Sequence, residues 1–260
     1  MNRHLTYLFS LLLLFVFTLP VEAEISSISS AINKAGRQRM LTQRMVKSYA
    51  MIGIDVQREA SEEQLRKSID LFELQLHELN AYAKTESIKI SLEKVDALWK
   101  PFKKILQSPV SRSNAEILLE TNDDLLRASN KVVMKLQDAS GSSFGRLVNV
   151  SGRQRMLSQR LAKFYMLRAW KFDNSEIRSE MEQARNEFKG ALAELIAAKE
   201  NSPAIQAKLK EASKAWKLFN HGLERDGDNL VPLIAAMSSE KVLVKMNQIT
   251  SMYVALSTQK

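Results

Sequence analysis

The chain has 260 residues, 45% hydrophobic and 26% charged, with only 8 Gly and 5 Pro, which excludes a disordered tail and any collagen-like or low-complexity array. It has no Cys and three scattered His (His4, His77, His221), which excludes a disulfide framework and a cysteine nucleophile and leaves little for a metal or redox cofactor. A formal charge of +9 and a pI near 9.6 point to an anionic partner, so the compartment decides between nucleic acid, membrane surface and small anion.

Residues 1–23 read as a secretory signal peptide: Arg3, an apolar run from Leu5 to Leu19, then Pro20 and the small-residue ending Val21-Glu22-Ala23. The run is short of the roughly 20 residues that span a bilayer. A periplasmic protein exported by cleavage is therefore expected; the alternative is an inner-membrane anchor left uncleaved. Outside the cytoplasm, nucleic acid is not an expected partner.

Beyond residue 24 the sparse Gly and Pro, and apolar residues at three- and four-residue steps, predict helices over 25–53, 58–84, 88–107, 112–138, 142–172, 175–200, 203–222 and 230–257. The segment Asn33 to Tyr49 returns as Asn149 to Tyr165 with 11 identities in 17 positions. The same offset of 116 pairs Phe72 and Leu76 with Phe188 and Leu192, and a one-residue slip pairs Trp99 and Phe102 with Trp216 and Phe219. A last block, Lys131 to Lys135, matches Lys241 to Lys245. The fold expected is all-α, two tandem antiparallel four-helix bundle modules over 24–139 and 140–260. Around Gly141 the chain either turns or continues as one helix.

Charge is local. Ile25 to Ile54 and Ala139 to Phe172 together carry twelve Lys or Arg and no acid, so the rest of the chain is net acidic. The first helix of each repeat thus forgoes the (i, i+4) ion pairs that support exposed helices. At 100° per residue, Gly36, Arg39, Gln43, Val46 and Lys47 fall on one third of the helix, while Asn33, Arg37 and Arg44 lie about 140° from Arg39. The equivalents in the second repeat are Gly152, Arg155, Gln159, Asn149, Arg153 and Arg160. A mid-helix Gly costs about 1 kcal/mol relative to Ala, and its presence in both copies points to close approach of a backbone or a small ligand.

The motif Asn33-x-Ala35-Gly36-Arg37-Gln38-Arg39-Met40-Leu41-Thr42-Gln43-Arg44 and its second copy resemble the first-helix signature of the NarX/PilJ-type sensory domain. That is the periplasmic four-helix module of nitrate/nitrite sensor kinases and type IV pilus methyl-accepting chemotaxis transducers. The resemblance implies a small-anion site between two first helices, gripped by an Arg one turn after a Gly. Those positions look like Gly36 and Arg39, Gly152 and Arg155, with Gln43 and Gln159 beside them and Asn33, Arg37, Arg44, Asn149, Arg153 and Arg160 as outer candidates. Single-copy relatives build such a site by dimerising; two copies in one chain can build it internally if the first helices lie parallel. A turn near Gly141 favours that arrangement, and a continuous helix favours a site between chains in a homodimer.

Three readings compete for the arginines. In one they bind an oxyanion such as nitrate or nitrite, and the protein signals to a membrane sensor or transporter without being an enzyme. In a second they pair with acids of neighbouring helices, such as Glu59, Glu62, Glu63, Asp70 and Glu73, and tie the bundle together. In a third the protein is a scaffold whose basic helices contact a partner protein or the anionic envelope surface. No nucleophile–base set, phosphate loop or metal cluster is present. His77 reads as exposed surface, Trp99 and Trp216 as core, and Asp123–Asp124 with Arg127 as a solvated ion-paired face.

Overall fold

The computed structural model describes residues 25–258, in which there are eight α-helices and no strand. They are α1 Ile28–Gly53, α2 Arg58–Tyr82, α3 Glu86–Leu106, α4 Arg112–Ser140, α5 Ser143–Ala169, α6 Ser175–Ala197, α7 Pro203–Gly222 and α8 Pro232–Ser257. The expected signal peptide lies outside the described residues. No helix among the described residues is long and apolar enough to cross a membrane.

Local chemistry sets the helix starts. Ser27, Thr85, Ser111, Ser142, Asn174 and Ser202 each accept a hydrogen bond from the backbone N–H three residues on, satisfying a donor the helix itself leaves free. Pro203 and Pro232 begin their helices, where a missing N–H costs nothing. Between the repeats the chain turns: Gly141 adopts φ +57° after Ser140, and Ser142 caps α5. A side chain at Gly141 would be strained in that left-handed conformation.

The turn sends α5 up alongside α1, and these two helices form the centre of the molecule. They run parallel, because Gly36 meets Gly152 near their starts and Gly53 meets Trp170 at their ends. Helices α2 and α4 cover α1, α6 and α8 cover α5, and α3 and α7 pack outside on α4 and α8. Each repeat keeps the same aromatic stack, Phe72 on Trp99 at 4.2 Å and Phe188 on Trp216 at 3.9 Å between ring centroids. Met40, Met45, Met51 and Met156 fill the core.

One expected pairing is corrected. The burial pattern of α4 recurs in α8 at an offset of 117: Leu118, Asn122, Leu125, Ser129, Val132 and Leu136 match Ala235, Ser239, Val242, Met246, Ile249 and Tyr253, all buried. Lys131–Lys135 therefore do not correspond to Lys241–Lys245. That false match lies seven residues short, two helical turns, which keeps a residue on nearly the same face.

Candidate functional site

A glycine one turn before an arginine, on two parallel helices, builds this site. Where α1 crosses α5, a Cβ built on Gly36 or Gly152 would lie 3.9 Å from the other's Cα, so the backbones meet with nothing between them. Helical side chains lean toward the helix N-terminus, and Arg39 and Arg155 fold back over this gap. Arg155 Nη2 lies 3.3 Å and 3.1 Å from the two Cβ positions, and Arg39 Nη2 3.5 Å and 3.6 Å. Two guanidinium groups converge on one pseudo-two-fold axis.

Both are shut away from water, 1% and 0% exposed. Arg39 Nη1 donates to Asn130 Oδ1 on α4 at 2.7 Å, and its Nη2 to Asn149 Oδ1 at 2.7 Å and the Asn149 carbonyl at 3.3 Å on α5. Arg155 mirrors this, with Nη1 to Asn247 Oδ1 on α8 and Nη2 to the Asn33 carbonyl on α1, both 3.1 Å. Every acceptor is neutral, and both Nε atoms are buried without a partner among the described residues. Burial, with Arg153 nearby, pushes Arg39 down to about 9. Burial, then Arg37 and Arg39, pushes Arg155 well below its ordinary value. Two like charges thus sit in a low-dielectric crossing with only amide oxygens to hold them.

The remaining candidates divide. Asn33 and Asn149 belong to the crossing as acceptors, and Asn149 Nδ2 is fixed by Gln137 Oε1 at 2.6 Å. Arg37 and Arg153 flank it, partly exposed, each close enough to repel the arginine of the other helix. Gln43 turns to other partners, donating to Asn122 Oδ1 and Thr42 Oγ1. Gln159 leans toward Glu240 without reaching hydrogen-bond geometry.

Arg44 and Arg160 point away from the crossing, mostly buried, and are ion-paired. Arg44 and the buried Lys47 share Glu240 of α8, at 2.7 Å and 2.6 Å. Arg160 pairs with Asp123 of α4 at 3.3 Å and with Glu180 of α6. Asp123, about one-third exposed, is thus turned toward α5 and paired there rather than with Arg127, while Asp124 pairs with Arg127 as expected. Among the five acids expected to pair with α1, Glu62 pairs with Arg58, Glu63 and Asp70 with Arg66, and Glu73 with Lys103.

A second buried polar layer, missed from sequence, lies further along α1 and α5. Lys47 and Lys163 are each 1% exposed. Lys163 Nζ donates to Asn122 Oδ1 at 2.9 Å, and Asn122 Nδ2 donates to the Thr42 carbonyl at 3.0 Å. The identity of Lys47 and Lys163 across the repeats was the signal for them; Asn130 and Asn247 were hidden by the seven-residue misregister of α8.

Among known families, the model described as PilJ, type IV pili methyl-accepting chemotaxis transducer N-term, matches residues 23–130 and again 139–251. No curated protein and no solved structure shows significant similarity to the chain.

Proposed function

The chain belongs to the PilJ family of chemotaxis-transducer sensory domains, and from that premise and the paired guanidiniums we propose that it is a sensor-type protein binding a small oxyanion at the α1/α5 crossing. PilJ domains are non-enzymatic signalling modules and are typically extracytoplasmic. In the proposed arrangement, units 24–139 and 140–260 follow an exported leader, and each contributes one Gly–Arg pair to a single internal site. Nitrate or nitrite fits the chemistry, because planar guanidinium forks match a planar oxyanion. A separate membrane partner would receive the signal.

The observation that carries this reading is the burial of Arg39 and Arg155 with no carboxylate among their hydrogen-bond partners. A buried charge without a counter-charge is costly, and an anion at the crossing relieves that cost. The same burial weighs against the scaffold alternative. Lys47, Lys163, Arg39 and Arg155 are all 1% exposed or less, so they present no basic face to a partner surface.

Thermal unfolding at constant ionic strength in nitrate, nitrite, sulfate or chloride tests it, beside Arg39→Ala/Arg155→Ala. Binding to the native state alone adds about 2.7 kcal/mol at a hundredfold excess over Kd. A rise of several degrees in Tm for one anion, lost in the double variant, is the expected result. A uniform response to all anions would sink the proposal.

A further inference from the structure

The two repeats differ in charge along the gap between their second and third helices. Within each repeat the second and third helices touch sparsely, so a groove opens between α2 and α3 and between α6 and α7. In the second repeat three arginines bridge it. Arg178 bridges to Asp226 at 2.8 Å, Arg185 to Asn220 at 3.0 Å and Glu224 at 3.4 Å, and Arg168 joins Asp173 at 3.2 Å and Asp226.

The first repeat carries Ile52, Glu62 and Ile69 at the positions of Arg168, Arg178 and Arg185. Across the gap it carries Gln107 and Pro109 in place of Glu224 and Asp226. The ion pair that joins α2 to α3 here, Lys103–Glu73 at 2.6 Å, lies outside the groove's lining, and the stretch lined by Ile69 and Gln107 keeps about 700 Å³ of open space, within the range of small-molecule sites. Its floor is apolar, made by the edges of the buried Ile52, Leu65, Ile69 and Leu106 of the first repeat and by the partly exposed Trp170 of the second, while Gln107 and Ser108 add polar lining. Trp170 closes one end by lying over Gly53, where a Cβ would fall 2.3 Å from the indole.

The rim is charged in both senses. Arg58, Glu62, Arg66 and Asp70 follow one another every four residues along the edge of α2, joined as Arg58–Glu62 at 3.4 Å and Arg66–Asp70 at 2.9 Å. All four are more than half exposed. Arg58 is also held by Asp55 at 2.9 Å and Arg66 by Glu63 at 2.7 Å, so Glu62 and Asp70 can turn to a ligand's ammonium without leaving either arginine unpaired; exposed pairs of this kind contribute little to stability, which lets an arginine exchange one carboxylate for a ligand's.

We propose that this groove is a second ligand site, separate from the arginine crossing, for a small zwitterion with an apolar body, the chemistry of a free hydrophobic amino acid. The body lies against Ile69, Leu106 and Trp170, and the head group meets the paired charges of α2.

Trp99 and Trp216 are stacked in the cores, whereas Trp170 lines the groove, so its emission reports occupancy. L-phenylalanine and L-leucine titrated into the full chain, followed by fluorescence and calorimetry, should bind saturably. Phenylacetate and phenethylamine, each lacking one head charge, should bind at least about tenfold more weakly. Ile69→Arg/Gln107→Glu installs the closure of the second repeat and should abolish binding while leaving the nitrate response of the crossing unchanged. Glu62→Arg, at an exposed position that does not threaten folding, should weaken binding about tenfold. No saturable binding at millimolar amino acid overturns the site. Equal binding of the singly charged analogues overturns the zwitterion, and full binding by both variants overturns the location.

Discussion

Gly152 and Arg155 share one space: a Cβ on Gly152 would lie 3.1 Å from Arg155 Nη2 and 3.9 Å from the Gly36 Cα. Gly152→Ala, or Gly36→Ala, must move a guanidinium pinned by Asn247 and Asn33. The helix gains about 1 kcal/mol from the substitution, which offsets the displacement, so Tm should change little while the anion-induced shift falls. Gly190, with open space where its Cβ would go, is the control. Gly190→Ala should stabilise by about 0.5–1 kcal/mol and leave the anion response intact. Equal anion responses in all three variants would separate the glycine pair from binding.

Glu240 holds two cations of α1, one of them the buried Lys47. Burial pushes its carboxyl up, but Lys47 and Arg44 outweigh that and hold it below the usual range. Glu240→Gln leaves Lys47 without a counter-charge. Because Glu240 is 30% exposed, the expected loss is about 2–3 kcal/mol, discounted from that of a fully buried pair. Adding Lys47→Met should recover most of it in a urea-unfolding cycle; additive losses would show that the pair is not coupled.

The fold class, the eight helices and the duplication were legible because caps, Gly and Pro breaks and helical periodicity are local signals. The Gly36–Arg39 and Gly152–Arg155 pairs were legible because the repeat preserves them. What surrounds them was not. Lys131 and Lys241, both exposed, matched by composition, whereas Asn122 and Ser239, which truly correspond, differ in type. Nor does one sequence say which helices enclose α1 and α5, so the burial of Lys47 and Lys163 emerges only from the packing of α4 and α8 around them.

Lys163 should make stability depend on pH. Burial, then Arg160, pushes its ammonium from 10.5 down to about 7, against the opposing pull of Asp123 and Glu180. Below pH 7 both native and unfolded chains are protonated there, and the cost of the buried charge is fully present. Between about 7 and 10.5 the unfolded chain holds a proton that the native state has released, so stability rises with pH across that window. Lys163→Met should be more stable than wild type at about pH 6.5, and the advantage should shrink by about pH 9.5. Urea midpoints at both pH values decide it; a pH-independent difference between the two proteins would refute the assignment.

Asn130 and Asn247 offer the sharpest separation of a binding site from a structural crossing. Each places a neutral amide oxygen against one buried guanidinium, at 2.7 Å and 3.1 Å, and each is itself only partly buried. Asn130→Asp/Asn247→Asp keeps the shape and puts a carboxylate where an amide stood. Charge-assisted hydrogen bonds are roughly twice as strong as neutral ones, and a partly exposed carboxylate is cheaper to desolvate than a buried one. The double variant should therefore be more stable without added anion, by about 1–3 kcal/mol. It should also lose the nitrate-induced rise in Tm, because the cations are already neutralised. Were the arginines structural struts alone, the stabilisation would appear in a protein that never responded to nitrate. A double variant that keeps the full nitrate shift would place the anion somewhere other than the α1/α5 crossing.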